Sequence, residues 1–199
     1  TASRNNTVVD NVSTGNKYGY FIQASSRNAL IDNVAASNST DGYQLECATD
    51  NVLTGNTADT NGEYGFRLLS GSDSNHLANN TSRANNIGNG FFLYQSGRCR
   101  LESNLAGDNV WNGFFLSTSS GNALIGNRSD GNGGFGFYLH TANDNTMVGN
   151  QAMGNGSWGY YLGGVCASNT WTENRYAPPA AGGDSVIFVE NGPVPPILR

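Results

Sequence analysis

The sequence predicts an all-β chain wound as a parallel β-helix. Three observations carry that prediction: a fixed period, the asparagines that mark it, and apolar runs too short for helices. The 199 residues divide into about eight units spaced by 22–24 residues, and a period of that length signals a solenoid. Asn6, Asn28, Asn51, Asn75, Asn122, Asn145 and Asn169 open seven of the units, and Cys99 takes that place between Asn75 and Asn122. Five residues on stand Asn11, Asn33, Asn56, Asn80, Asn104, Asn127, Asn150 and Asn174. Five further stand Asn16, Asn38, Asn61, Asn85, Asn109, Asn132 and Asn155. Gly-aromatic-x-Leu/Ile then follows seven times, from Gly19-Tyr20-Phe21-Ile22 to Gly159-Tyr160-Tyr161-Leu162.

Within a unit the segments follow in order. In the second they are Ala29–Ile31, Val34–Ala36 and Tyr43–Leu45, separated by Asn, Ser, Thr and Gly. Runs this short between turn formers read as strands, so each coil holds three, and stacking pairs each strand with its copy about 4.8 Å away. Alternation along a strand says which side chains point inward. The first strand supplies Val8, Leu30, Leu53, Leu77, Leu101, Leu124, Met147 and Trp171. The second supplies a small residue, from Ser13 and Ala35 to Ala152. The third supplies an aromatic column, Tyr20 to Tyr160, and an aliphatic one, Ile22 to Leu162. The asparagines are expected to take left-handed backbone angles at the turns and to bond one another in a ladder.

The repeats cover 1–176. The start, Thr1 to Asn6, resembles the end of another unit, Gln23 to Asn28, so the chain reads as cut from a longer protein. After Tyr176 the period dissolves, and 177–199 read as a linker, a strand at Val186–Val189 that caps the last coil or exchanges with a neighbouring molecule, and a proline-rich tail.

Charged residues make up 13% and the net charge is −5, which argues against a nucleic-acid partner, since that needs a basic stripe. No apolar run is long enough for a membrane span. Cys47, Cys99 and Cys166 fall in different coils, too far apart to bridge, and are expected to be free, buried and inert. No cluster of His and Cys suggests a metal site, and no cofactor motif occurs.

One outward column is informative. Between the inward positions of the third strand stand Phe21, Gln44, Arg67, Phe92, Phe115, Tyr138 and Tyr161, with Tyr94 and His140 two residues beyond Phe92 and Tyr138. Phe92, Tyr94, Phe115, Tyr138, His140 and Tyr161 are therefore the candidate ligand-binding residues, on a strip about 15–20 Å long. Ring faces in a flat line suit a linear polysaccharide, a protein partner or mutual pairing for stability. Candidate catalytic residues are fewer. Asp41, Glu46 and Arg67, with Glu63, are read as outward charges on that face, and glycoside hydrolysis requires paired carboxylates. Ordinary surface charge competes with that reading. His76 and His140 are assigned to different faces.

The unit N-x-Φ-x-x-N-x-x-x-x-N-x-x-x-G-[FY]-x-L resembles the right-handed parallel β-helix repeats of the pectin-lyase-like superfamily, especially its NosD-type and alginate-epimerase-type members. The resemblance supplies the handedness. It implies an extracellular or cell-surface protein that binds or acts on polysaccharide, with lyases, hydrolases and epimerases among the relatives. The Asp-Pro-His motif of the epimerases is missing, as is the calcium-binding aspartate cluster of the pectate lyases, and two His and two Met suit copper poorly. The expectation is a carbohydrate-binding or structural module rather than an enzyme. The alternatives are an enzyme fragment and an assembly protein that self-associates through the strip or the C-terminal strand.

Overall fold

The structure, a computed structural model, describes residues 2–177 and 188–189. Three parallel sheets of eight strands each run along the winding. The first stacks Thr7–Val9 through Thr170–Thr172, and the second Val12–Thr14 through Arg175–Tyr176. The third stacks Tyr20–Gln23 through Tyr160–Gly163, with Phe188–Val189 paired in parallel beside the last. That pair occupies the place of a third strand for the eighth coil. The rest of the linker and the proline-rich tail fall outside the described residues. In the second unit the strands are Ala29–Ile31, Val34–Ala36 and Tyr43–Glu46, the last one residue longer than the sequence suggests.

Register is unit to unit throughout. Leu30 lies between Val8 and Leu53, and Leu116 between Leu93 and Leu139. A slip of one residue would turn the apolar set outward. The first-strand column from Leu53 to Met147 is wholly buried, as is the small column from Ala35 to Ala106. Inside the third sheet, rings from Tyr20 to Tyr160 stack at 4.6–5.0 Å with planes within 9°. Strand spacing imposes that separation. Where tyrosine stands in the buried column its hydroxyl donates to a backbone carbonyl, Tyr43 to Asn33 at 2.7 Å and Tyr160 to Asn150 at 2.9 Å.

The asparagine ladders form as expected, but the turn chemistry differs. Asn33 donates both its backbone N–H and its Nδ2 to Asn56 Oδ1 (3.0 and 3.1 Å), and Nδ2 also reaches the Val8 carbonyl at 2.9 Å. Asn56 repeats this toward Asn80. None of the ladder asparagines has a positive φ. The residue before each does: Asp32 (53°) precedes Asn33, Gly55 (68°) precedes Asn56 and Asp108 (55°) precedes Asn109. A single left-handed residue bends the chain, and the next side chain is thereby aimed into the coil. The left-handed angle costs a non-glycine residue about 1–2 kcal/mol, which the ladder bonds offset. Asn38, Asn80, Asn127 and Asn155, which lie in sequons, are at most 3% exposed, so their amides serve the ladder.

Cys99 interrupts the first ladder. Its N–H still donates to Asn122 Oδ1 at 2.9 Å and its thiol reaches the Ser72 carbonyl at 3.3 Å, but it offers Asn75 no amide oxygen. Burial pushes this thiol up to about 12. All three cysteines are free; Cys99 is buried and Cys166 partly so, but Cys47 is exposed. The expectation that all three are buried is corrected there: Cys47 sits just past the strand end at a left-handed position (φ 50°), where the side chain leaves the core.

Candidate functional site

The outer face of the third sheet carries the predicted column in order. Phe21 pairs with Gln44, Gln44 with Arg67, Arg67 with Phe92, Phe92 with Phe115, Phe115 with Tyr138 and Tyr138 with Tyr161. The rings are only partly buried, and their arrangement corrects one expectation. Phe92 stacks on Phe115 at 5.1 Å and 22°, and Phe115 on Tyr138 at 4.4 Å and 8°. Rings one strand spacing apart lie face to face, so these faces are taken by neighbours and the edges look outward. The strip is ribbed rather than flat. It breaks at Tyr161, which tilts 59° from Tyr138. Tyr94, beside Phe92 at 6.3 Å, is 38% exposed. His140 meets Tyr138 edge-on, its Nδ1 3.3 Å from the tyrosine hydroxyl.

A second column widens the strip, and sequence reasoning missed it. It is the residue immediately before the Gly of each Gly-aromatic pair: Tyr18, Asp41, Tyr64, Asn89, Asn112, Phe135 and Trp158. Tyr64 stacks on Phe92 at 5.2 Å. Phe135 stacks on Tyr161 at 4.4 Å and on Trp158 at 5.7 Å, and meets Tyr138 edge-on at 5.3 Å. The position mixes aromatic with polar residues, which hid it. Its polar members share one job: the side-chain oxygen accepts the N–H of the same position one coil on. Asn112 N–H donates to Asn89 Oδ1 at 3.0 Å, Phe135 N–H to Asn112 Oδ1 at 2.7 Å and Tyr64 N–H to Asp41 Oδ1 at 3.2 Å.

Asp41 is thus not an outward charge. It is 0% exposed, because the residue before the inward-turning Gly42 is folded under the next coil. Burial pushes its carboxyl up to about 6, against the opposing pull of Arg67 and the Tyr64 N–H. Arg67 Nη1 lies 3.5 Å from Asp41 and 3.6 Å from Glu63, with its guanidinium 4.7 Å over the Tyr64 ring. The structure therefore joins Asp41, Glu63 and Arg67. Glu46 stands two residues past Gln44, in register with Leu69, and among the described residues no ion pair links it to the group. His76 lies in the first sheet, 3.6 Å from Glu102, remote from His140 in the third.

The sequence matches the family described as periplasmic copper-binding protein (NosD) over residues 1–87 and 69–178. Among curated proteins none matches it. Of the solved structures, a periplasmic alginate epimerase superposes with a TM-score of 0.76 at 16% identity, over 84% of this chain and 50% of that one. The A-module of a mannuronan C-5 epimerase from Azotobacter vinelandii gives 0.61 at 16% identity, over 84% and 64%. A pectate lyase gives 0.57 at 15% identity, over 79% and 55%. This chain spans about half the length of the first; at such identities the likeness is one of fold. The copper in the family's description meets a poor donor set here. Among the described residues no group of three His, Cys, Asp or Glu is placed to hold a metal ion. Met147 is sealed in the core, and the Cys99 thiol is engaged with backbone carbonyls. Matched through nearly all of its repeats and wound as three parallel sheets, the chain belongs to the NosD family of right-handed parallel β-helix proteins.

Proposed function

We propose that this chain is an extracytoplasmic polysaccharide-binding module, with the ribbed strip as its contact surface. The observation that carries the reading is the unbroken run of rings from Tyr64 through Phe92 and Phe115 to Tyr138 on one outer face. A regularly spaced apolar ridge fits a polymer of regularly spaced rings. The sugar's C–H faces lie across the ring edges, and its hydroxyls reach Tyr94 and His140 along the border. The epimerases and the lyase of similar fold support the class of ligand by their names, and the family's description supports a location outside the cytoplasm. The Asp41–Arg67 pair is no catalytic dyad in this reading, since the carboxylate is buried beneath the next coil.

A panel of neutral and acidic polysaccharides, scored for binding and for new chain ends, tests it with the wild type and a Phe115→Ala/Tyr138→Ala double variant. Binding without cleavage, lost in the folded variant, is the expected result. Cleavage overturns the non-enzyme reading. Absence of binding together with concentration-dependent sedimentation replaces it with self-assembly.

A further inference from the structure

We propose that the Arg67 cluster is the polar end of the strip and selects uncharged sugar residues over uronates, an assignment that rests on the polysaccharide reading above. The cluster is continuous with the rings, since Arg67 lies over Tyr64 and Tyr64 stacks on Phe92. A guanidinium that serves a uronate presents open N–H groups to its carboxylate, preferably two at once. Arg67 already meets two carboxylates, Asp41 and Glu63, both through Nη1, and its unpartnered Nε–H is buried. The local balance is therefore one positive against two negative groups, and Asp41, wholly buried, cannot swing away. A third carboxylate brought in by the ligand meets like charge.

A second observation points to a hydroxyl. Gln44 and Arg67 are register neighbours on adjacent strands, and Gln44 Oε1 and Arg67 Nε are both buried without a partner in the protein. Gln44 is only 6% exposed. The pair offers one acceptor and one donor from register neighbours on adjacent strands. A sugar hydroxyl donates and accepts, whereas an ionised carboxylate only accepts. A ligand that satisfies both atoms relieves the cost of leaving them unpaired. Neither atom faces solvent, so the guanidinium must lift for the hydroxyl to enter. Its contacts of 3.5 and 3.6 Å are long for charge-assisted bonds and hold it loosely.

The test is isothermal titration at pH 7.5 of the whole chain with matched β-1,4-linked hexasaccharides, mannose against mannuronic acid and glucose against glucuronic acid. Each pair differs only in CH₂OH against carboxylate. The wild type is expected to bind the neutral member at least tenfold more tightly. Glu63→Gln is expected to narrow that ratio about fivefold by admitting the uronate, and Arg67→Gln to weaken neutral binding about tenfold. Wild-type preference for the uronate, or a ratio that Glu63→Gln does not move, overturns the assignment. If Phe115→Ala/Tyr138→Ala abolishes binding while uronates are preferred, the strip stands and only the selectivity falls. If the wild type binds neither class, both fall.

Discussion

At the scale of single residues, most buried polar positions bond the neighbouring coil through an asparagine, and two positions that carry another side chain there are informative. Asp41 is the first. Asn89 and Asn112 occupy the same place in later coils and accept the same backbone N–H, so the carboxylate's charge is dispensable to the turn. Its pKa is raised in the fold to about 6 from an ordinary 3.8. The folded state therefore binds more protons than the unfolded one between those values, and this group's contribution to stability grows as pH falls from 6 to 4 and is lost as pH rises through 6. Two units correspond to at most about 3 kcal/mol. Asp41→Asn should remove that pH dependence and raise Tm at pH 7.5 by a few degrees, read by calorimetry from pH 4 to 8. Cys99 is the second departure. Cys99→Asn restores the acceptor missing from the first ladder and should stabilise by about 1 kcal/mol; a loss of stability would mean that the sulfur is needed for packing.

At the scale of the coil, stability rests on repeated contacts between like positions. Asn104 Oδ1 accepts the N–H and the Nδ2 of Asn80, while its own Nδ2 donates to Leu77 O and Asn127 Oδ1, all within 2.8–3.0 Å. Asn104→Ala strands several buried groups at about 1–3 kcal/mol each and should cost about 3 kcal/mol or more, measured by urea unfolding. Asn104→Asp keeps the acceptor but sets a buried carboxylate oxygen against Leu77 O and Asn127 Oδ1, and should cost at least as much at neutral pH. Gly113 shows the steric side. A Cβ there would meet Ser129 Oγ at 2.0 Å and the Gly136 carbonyl at 2.8 Å, so Gly113→Ala should destabilise by more than about 2 kcal/mol. A neutral outcome in Tm would show that the coils can separate locally. The three strands of the second unit were legible because period, turn residues and apolar alternation agree. The left-handed residue before each asparagine was not, since Arg27, Asp32, Gly55 and Ala84 share no side-chain chemistry, only a place in the turn.

At the scale of the whole molecule, stacking converts positions that recur in sequence into continuous surfaces. Phe135 joins the aromatic strip only because the winding sets it against Tyr138 and Tyr161. Phe135→Ala should weaken polysaccharide binding five- to tenfold, about 1–1.4 kcal/mol, with a small change in Tm; unchanged affinity in a panel that detects wild-type binding would confine the site to the first column. The period, the three strands per coil, the inward columns and the asparagine ladders can all be read from the order of residues. These follow from one residue pattern repeated at one spacing, and local chemistry suffices to read it. Tertiary structure alone decided that the ring faces are spent on one another and that Asp41 lies buried under Arg67. It also decided that a second aromatic column borders the first. Those outcomes depend on side-chain directions and on contacts between residues a full coil apart, where strand spacing, rather than the order of residues in the chain, sets what touches what.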